Sequence, residues 1–242
     1  LDPVDAPYVA SGHLPSPEAV QALVETAHAR FAADRAGALS TVYPAMTRVD
    51  PDLFGIAVVG TRGRAFEAGD ATHPFTIMSV SKPFVFALVC QALGAEAARA
   101  KLGANATGLP FNAIGAIERS PDGRTNPMVN AGAIATTALA QGPTEAARWR
   151  FVVDGLSRFA GRELAMDEEI LASALATNHR NRAIARLLFA MGAIEGDPEE
   201  AVATYTRQCC LTVTAHDLAV MGATLADGGV NPVTKERVVD PI

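Results

Sequence analysis

At 242 residues the chain has room for one large domain or two small ones, and either could bury a sizeable core. Its 49% hydrophobic and 19% charged content fits an ordinary globular protein, and a formal net charge of -6 argues against a nucleic-acid groove or an anionic membrane surface as partner. Three cysteines, Cys90, Cys209 and Cys210, do not make a disulfide framework, so a reduced, cytoplasmic setting is expected. The most apolar run, residues 83–95, is too short to cross a bilayer, and the acidic start, with Asp2 and Asp5, does not resemble a signal peptide.

Residues 1–15 read as an extended lead-in rich in Pro and Gly. Ser16 as N-cap and Pro17 at the first helical position open a helix whose Val20, Leu23, Val24, Ala27 and Phe31 share one face. Two strands follow, Leu53–Val59 and Arg64–Ala68, joined by a tight turn around Gly63. An apolar helix runs from about Ser79 to Leu93 and stops at Gly94. Residues 95–125 alternate short polar and Gly-rich pieces and predict irregular structure around a site. From Ala131 to about Gln208 the pattern is helical, with breaks at residues 141–143, 160–161 and 196–198. A last helix begins near Thr214, where Thr214 and Asp217 have capping-box spacing, and ends before Gly228. The pattern divides into a sheet-containing part, residues 1–90 plus 209–242, and a mainly helical lobe, residues 91–208.

Chemistry concentrates at Ser79-x-x-Lys82. Positions i and i+3 of a helix share a face, so the hydroxyl and the amine can approach one another. Pro83 lacks an N–H and is tolerated only in a first turn, which puts Ser79 at or beside the helix N-terminus. Free N–H groups there favour negative charge, and the N–H of Ser79 itself can serve as an oxyanion donor. The rest of the helix is apolar nearly all round, so it should be buried and Lys82 desolvated, which disfavours its charged form. Ser79 as nucleophile and Lys82 as general base is one reading; a cap followed by a surface lysine is the other. His13, His28, His73, His179 and His216 are scattered and show no metal-ligand spacing with the cysteines; His73 reads as part of an exposed loop before the helix. No phosphate loop or dinucleotide fingerprint is present, and no cofactor is implied.

The flanking segments decide between the readings. Thr41-Val-Tyr-Pro-Ala-Met46, Val49-Asp-Pro-Asp-Leu-Phe-Gly-Ile-Ala-Val58, Gly69-Asp70 before Phe75-Thr-Ile-Met-Ser-Val-Ser-Lys82, Gly108-Leu-Pro-Phe-Asn112, Asn126-Pro-Met-Val-Asn-Ala-Gly-Ala-Ile134, Arg180-Asn181, Tyr205-x-x-x-Cys209 and Leu225-Ala-Asp-Gly-Gly-Val-Asn-Pro232 follow one another in an order that resembles the serine-dependent glutaminases. That resemblance implies an α/β fold similar to the serine β-lactamases and penicillin-binding proteins, a sheet flanked by helices plus a helical lobe. It implies hydrolysis of L-glutamine to L-glutamate and ammonia through an acyl-enzyme on Ser79, with Lys82 as base and Tyr43 beside the nucleophile. It also implies that Asn130, Asn181 and Tyr205 bind substrate, and that the chain assembles as a homodimer or homotetramer. Read from the residues alone, Asn130 could equally be a turn or helix-start residue, and Tyr205 a half-buried tyrosine of an amphipathic helix.

The sequence departs from the family pattern at several points. Ala174 stands where the family has a Glu that holds the substrate ammonium, Met78 stands where a Gln commonly precedes the nucleophile, and Cys210 replaces a Ser. The family's further catalytic Tyr and its Gly-rich strand are expected beyond Ile242, leaving a raw sheet edge. Two alternatives to a working glutaminase therefore stand: a degenerate homologue serving as a binding or regulatory domain, and a related amidase with altered substrate.

Overall fold

The computed structural model describes residues 15–241; the extended lead-in and His13 fall outside the described residues. Helix α1, Pro17–Phe31, starts as the sequence dictates: Ser16 Oγ accepts from Ala19 N at 3.2 Å and Pro17 occupies the first turn. Its apolar stripe, however, is not a buried face. Only Val24 is buried, while Leu23 and Phe31 are 63% and 49% exposed. The helix covers a hairpin only two strands wide, and it holds on through its polar edge. Gln21 Nε2 donates to Glu67 O at 3.0 Å, and His28 stacks on Phe54 with ring centroids 5.1 Å apart.

The hairpin pairs β1, Gly55–Val59, with β2, Ala65–Gly69, antiparallel, Ala57 facing Glu67. Gly63 makes the turn at φ 87, and a Cβ there would sit 2.7 Å from Pro232 O, so both the conformation and the space demand glycine. A second, two-residue pairing joins β3, Phe75–Thr76, to β4, Thr212–Val213, and continues as Ile77 N donating to Leu211 O at 2.8 Å. This clamp delivers the chain into a 3₁₀ turn, Met78–Ser81, and then into α2, Lys82–Leu93, which ends at Gly94 with φ 87.

Residues 95–125 are more regular than their glycines suggest. Ala95–Leu102 forms α3 and Gly115–Glu118 a short α4; the run Ala-Glu-Ala-Ala-Arg-Ala-Lys-Leu is made of strong helix formers, and Gly94 and Gly103 bound it rather than break it. The remaining helices are α5 (Asn130–Ala138), α6 (Glu145–Ala160), α7 (Glu168–Thr177), α8 (His179–Ala190), α9 (Pro198–Cys209) and α10 (Ala215–Ala226). Their caps are local chemistry: Thr144, Asp167 and Asp197 each accept a backbone N–H, and Thr214 and Asp217 form the reciprocal capping box.

Four apolar clusters form among the described residues; one, Val89, Cys90 and Ala98, joins α2 to α3, and the other three surround the site. Phe84, Val85 and Leu88 of α2 pack on Val152, Leu156 and Phe159 of α6 and on Met221 of α10. Ile134 of α5 packs with Ile184 and Leu188 of α8 and with Val202 and Tyr205 of α9. A smaller cluster gathers Tyr43, Ala45, Ile170, Leu171, Ala174 and Cys210. Met78 touches the second and third clusters and Ile77 lies in the first, so the segment carrying Ser79 sits where all three meet. Among the described residues no single helix is long and apolar enough to cross a membrane.

Candidate active site

Met78 adopts φ 50, a left-handed conformation uncommon for a residue with a side chain. This reversal between the β3 clamp and α2 leaves Ser79 exposed at the mouth of a cavity of about 250 Å³, while Ser81 and Lys82 turn inward. A buried polar chain fastens the turn: Ser81 Oγ donates to Met78 O at 2.8 Å, Gln208 Nε2 donates to Ser81 Oγ at 3.1 Å, and Thr137 Oγ1 donates to Gln208 Oε1 at 3.0 Å. The turn is thereby tied to α9 and α5. Among the described residues the Ser79 N–H takes no part in the backbone hydrogen bonds between elements, so it can serve another acceptor.

Lys82 is 4% exposed. Its Nζ donates to Asn130 Oδ1 at 2.9 Å and to Met128 O at 3.1 Å, and lies 5.6 Å from the centre of the Phe111 ring. These bonds run across to α5 and the residues before it, with none to Ser79 Oγ. Ser79 lies in the 3₁₀ turn and Lys82 is the first α-helical residue, so the pair straddles the junction of the two elements rather than sharing one α-helix. Burial pushes the Lys82 ammonium below the usual lysine range.

Asn130 is the hub. Its Oδ1 accepts from Lys82 and, at 3.4 Å, from Tyr205 Oη, and its Nδ2 donates to Asn181 Oδ1 at 3.0 Å. The orientation of both amides follows from the obligatory Lys82 donor. Burial raises the phenols of Tyr43 and Tyr205 above their ordinary range and pushes the Cys209 thiol up to about 11, so all three stay protonated at neutral pH.

Tyr43, Ser79, Asn130, Asn181 and Tyr205 line this one cavity, and Lys82 lies behind Asn130. The structure thus brings together residues spread over 162 positions of sequence, from Tyr43 to Tyr205. Four further polar residues line it, Asn112, Thr177, Asn178 and Arg180; Asn112 and Arg180 stand in blocks quoted for the family resemblance, but none of the four was assigned a role from sequence. Asn178 falls at the α7–α8 junction, where no Gly or Pro marks a break, and the adjacency of Arg180 to Asn181 was its only signal. Ala174, by contrast, is fully buried among Tyr43, Ile170 and Cys210. A larger cavity of about 670 Å³, lined by Met46, Phe54, Phe75 and Ile170, lies away from Ser79.

An exposed hydroxyl beside an unengaged N–H, with a desolvated amine close behind, can carry out acyl transfer. The comparisons define the class. The glutaminase family model matches residues 37–242. Glutaminase 2 of Yersinia pestis is 63% identical over 233 residues, which is 96% of this chain and 68% of that protein. A glutaminase of Brucella canis is 46% identical over 93% of this chain and 71% of its own length. Among solved structures, the probable glutaminase ybaS superposes with a TM-score of 0.91 at 38% identity, over 94% of this chain and 74% of that one. Mglu in its glutamate form superposes at 0.84 and 36% identity, over 92% of this chain and about half, 51%, of that one. The chain belongs to the glutaminase family, with the mixed α/β architecture of the serine β-lactamase-like fold.

Proposed function

We propose that this chain hydrolyses the side-chain amide of L-glutamine to L-glutamate and ammonia, with Ser79 as nucleophile and Lys82 as its general base. The observation that carries the reading is an exposed serine at a cavity lined by Tyr43, Asn130, Asn181 and Tyr205, with a desolvated lysine three residues on, behind Asn130. Neutral Lys82 takes the Ser79 proton as Oγ attacks the amide carbon, and the Ser79 N–H faces the developing oxyanion. The protonated amine then gives its proton to the leaving nitrogen, ammonia departs, and an acyl-enzyme remains. Water, deprotonated by the same amine, releases the acid and frees Ser79. Asn130 holds Asn181 so that the unengaged Asn181 Nδ2 can donate to an amino-acid head group, and the protonated Tyr205 offers a directed hydroxyl. Tyr43 closes the other side of the nucleophile.

The three buried free cysteines suit a cytoplasmic protein, and a homodimer or homotetramer is proposed on the family resemblance. The test is ammonia release from L-glutamine by the full-length protein and its Ser79→Ala variant. Turnover should vanish in the variant; full turnover there would refute the nucleophile assignment.

A further inference from the structure

We infer that the cavity selects its substrate by a carboxylate and is indifferent to an α-ammonium, so that a primary amide such as glutaramate is hydrolysed about as readily as L-glutamine. The inference rests on Ser79 being the nucleophile of this cavity. Among the described residues that line it there is no Asp and no Glu; its one charged side chain is Arg180. Position 174, one helical turn before Asn178, presents only a methyl group, and that methyl is sealed in the apolar cluster with Tyr43. A substrate ammonium would therefore leave water for a wall that offers it no anion and faces it with a guanidinium.

The polar groups that the protein leaves unspent point the same way. Asn181 Oδ1 is taken by Asn130, whereas Asn181 Nδ2 enters no hydrogen bond among the described residues. Arg180 spends Nη1 on Asn112 O at 3.0 Å, is in no ion pair among the described residues, and keeps its other N–H groups. On the acceptor side, Asn130 Oδ1 already serves Lys82 and Tyr205. The buried wall acceptor without a partner, Asn178 Oδ1, is a neutral amide oxygen on a residue 5% exposed. Free donors grouped around one fixed cation match a carboxylate, and the other side-chain acceptors of the lining, the Asn112 amide oxygen and the Thr177 hydroxyl, are neutral as well. A neutral acceptor suits an uncharged N–H or none, and gives an ammonium no charge-assisted bond.

The measurement is kcat/KM for ammonia release by the full-length protein from L-glutamine, glutaramate and butyramide, the last lacking both head groups. A charge-assisted bond to an ammonium is worth about tenfold or more in affinity, which sets the scale. Glutaramate within about tenfold of glutamine, with butyramide more than about tenfold below glutaramate, is the expected result. Glutamine ahead of glutaramate by more than that factor, or butyramide equal to glutaramate, overturns the inference. Ser79→Ala keeps the two readings apart. If it abolishes turnover while glutamine is strongly preferred, only the carboxylate selection falls. If turnover survives in Ser79→Ala, both fall together.

Discussion

Replacing Asn130 by Asp should move the titration of Lys82 and, with it, the pH profile of the reaction. The substitution keeps the shape of the side chain but sets a carboxylate oxygen 2.9 Å from Nζ. At that separation an effective dielectric of ~20 gives an attraction of ~6 kcal/mol, or ~4 pH units as an upper figure. Relaxation and solvent entry at the cavity mouth reduce this, and a displacement of about two units is the expected minimum. The sign follows from the proposed role of Lys82 as base. Lys82 must be neutral to accept the Ser79 proton, so kcat/KM climbs as pH rises through the Lys82 pKa. In the wild type that limb lies below the ordinary lysine range, because burial disfavours the ammonium. In Asn130→Asp the new anion stabilises the ammonium, the limb moves to higher pH, and the rate at neutral pH falls about a hundredfold, recovering as the solution is made alkaline. Asn130 also faces the cavity, so the decisive quantity is the position of the limb and not its height. A variant that is slower at every pH with its limb in place would refute Lys82 as the titrating base.

Four other perturbations probe the frame that holds the site. Gly132→Ala would place a Cβ 1.8 Å from Asn126 O, a backbone atom that cannot swing aside. A loss of roughly 2–3 kcal/mol is expected in denaturant unfolding. Met78→Val forces a β-branched side chain to φ 50 and should cost about 1–3 kcal/mol, whereas Met78→Gly carries no such backbone penalty; unfolding midpoints distinguish them. Asp217→Asn weakens the bidentate bond from Arg162, at 3.0 and 2.6 Å, and the capping of Thr214 N, by about 2 kcal/mol at neutral pH. Burial raises the Asp217 pKa, but Arg162 and Thr214 outweigh it and hold the carboxyl below its usual range. The stability it contributes is therefore present above the unfolded-state pKa and lost as pH falls through the folded one, so wild type and variant should converge in acid. Thr137→Val leaves Gln208 Oε1 without its donor inside the protein and should cost about 1–3 kcal/mol, read from thermal unfolding.

Features set by adjacent residues were legible in the sequence. The Ser16–Pro17 opening of α1, the Thr214–Asp217 capping box and the Gly63 turn each depend on atoms a few bonds apart. Gly94 and Gly103 were harder, since a glycine that bounds a helix and one that breaks it look alike; α3 between them was consequently read as irregular. Amphipathic spacing named the stripe on α1 but not how much surface the hairpin had to offer it. At the site, Ser79 and Lys82 announce themselves by spacing and by the apolar run that follows. The partner that holds Lys82 does not: Asn130 is 48 residues away, and only the ordered blocks of family resemblance pointed to it. Asn178 and Arg180 face the cavity because α7 and α8 meet at a junction that no local residue type marks.

The two-residue pairing of β3 with β4 has a consequence for how the protein comes into being. Phe75 is held by Val213 and Ile77 by Leu211, so the strand that presents Ser79 waits for a partner well over a hundred residues downstream. On the ribosome, the chain will have made Ser79, Lys82 and most of its helices before that partner emerges. Until then Ser79 rides on an unpinned segment and the cavity has no fixed mouth. Catalytic competence should therefore switch on late and all at once in synthesis, and nascent chains stalled before residue 211 should contribute none, however much of the helical framework they have already built.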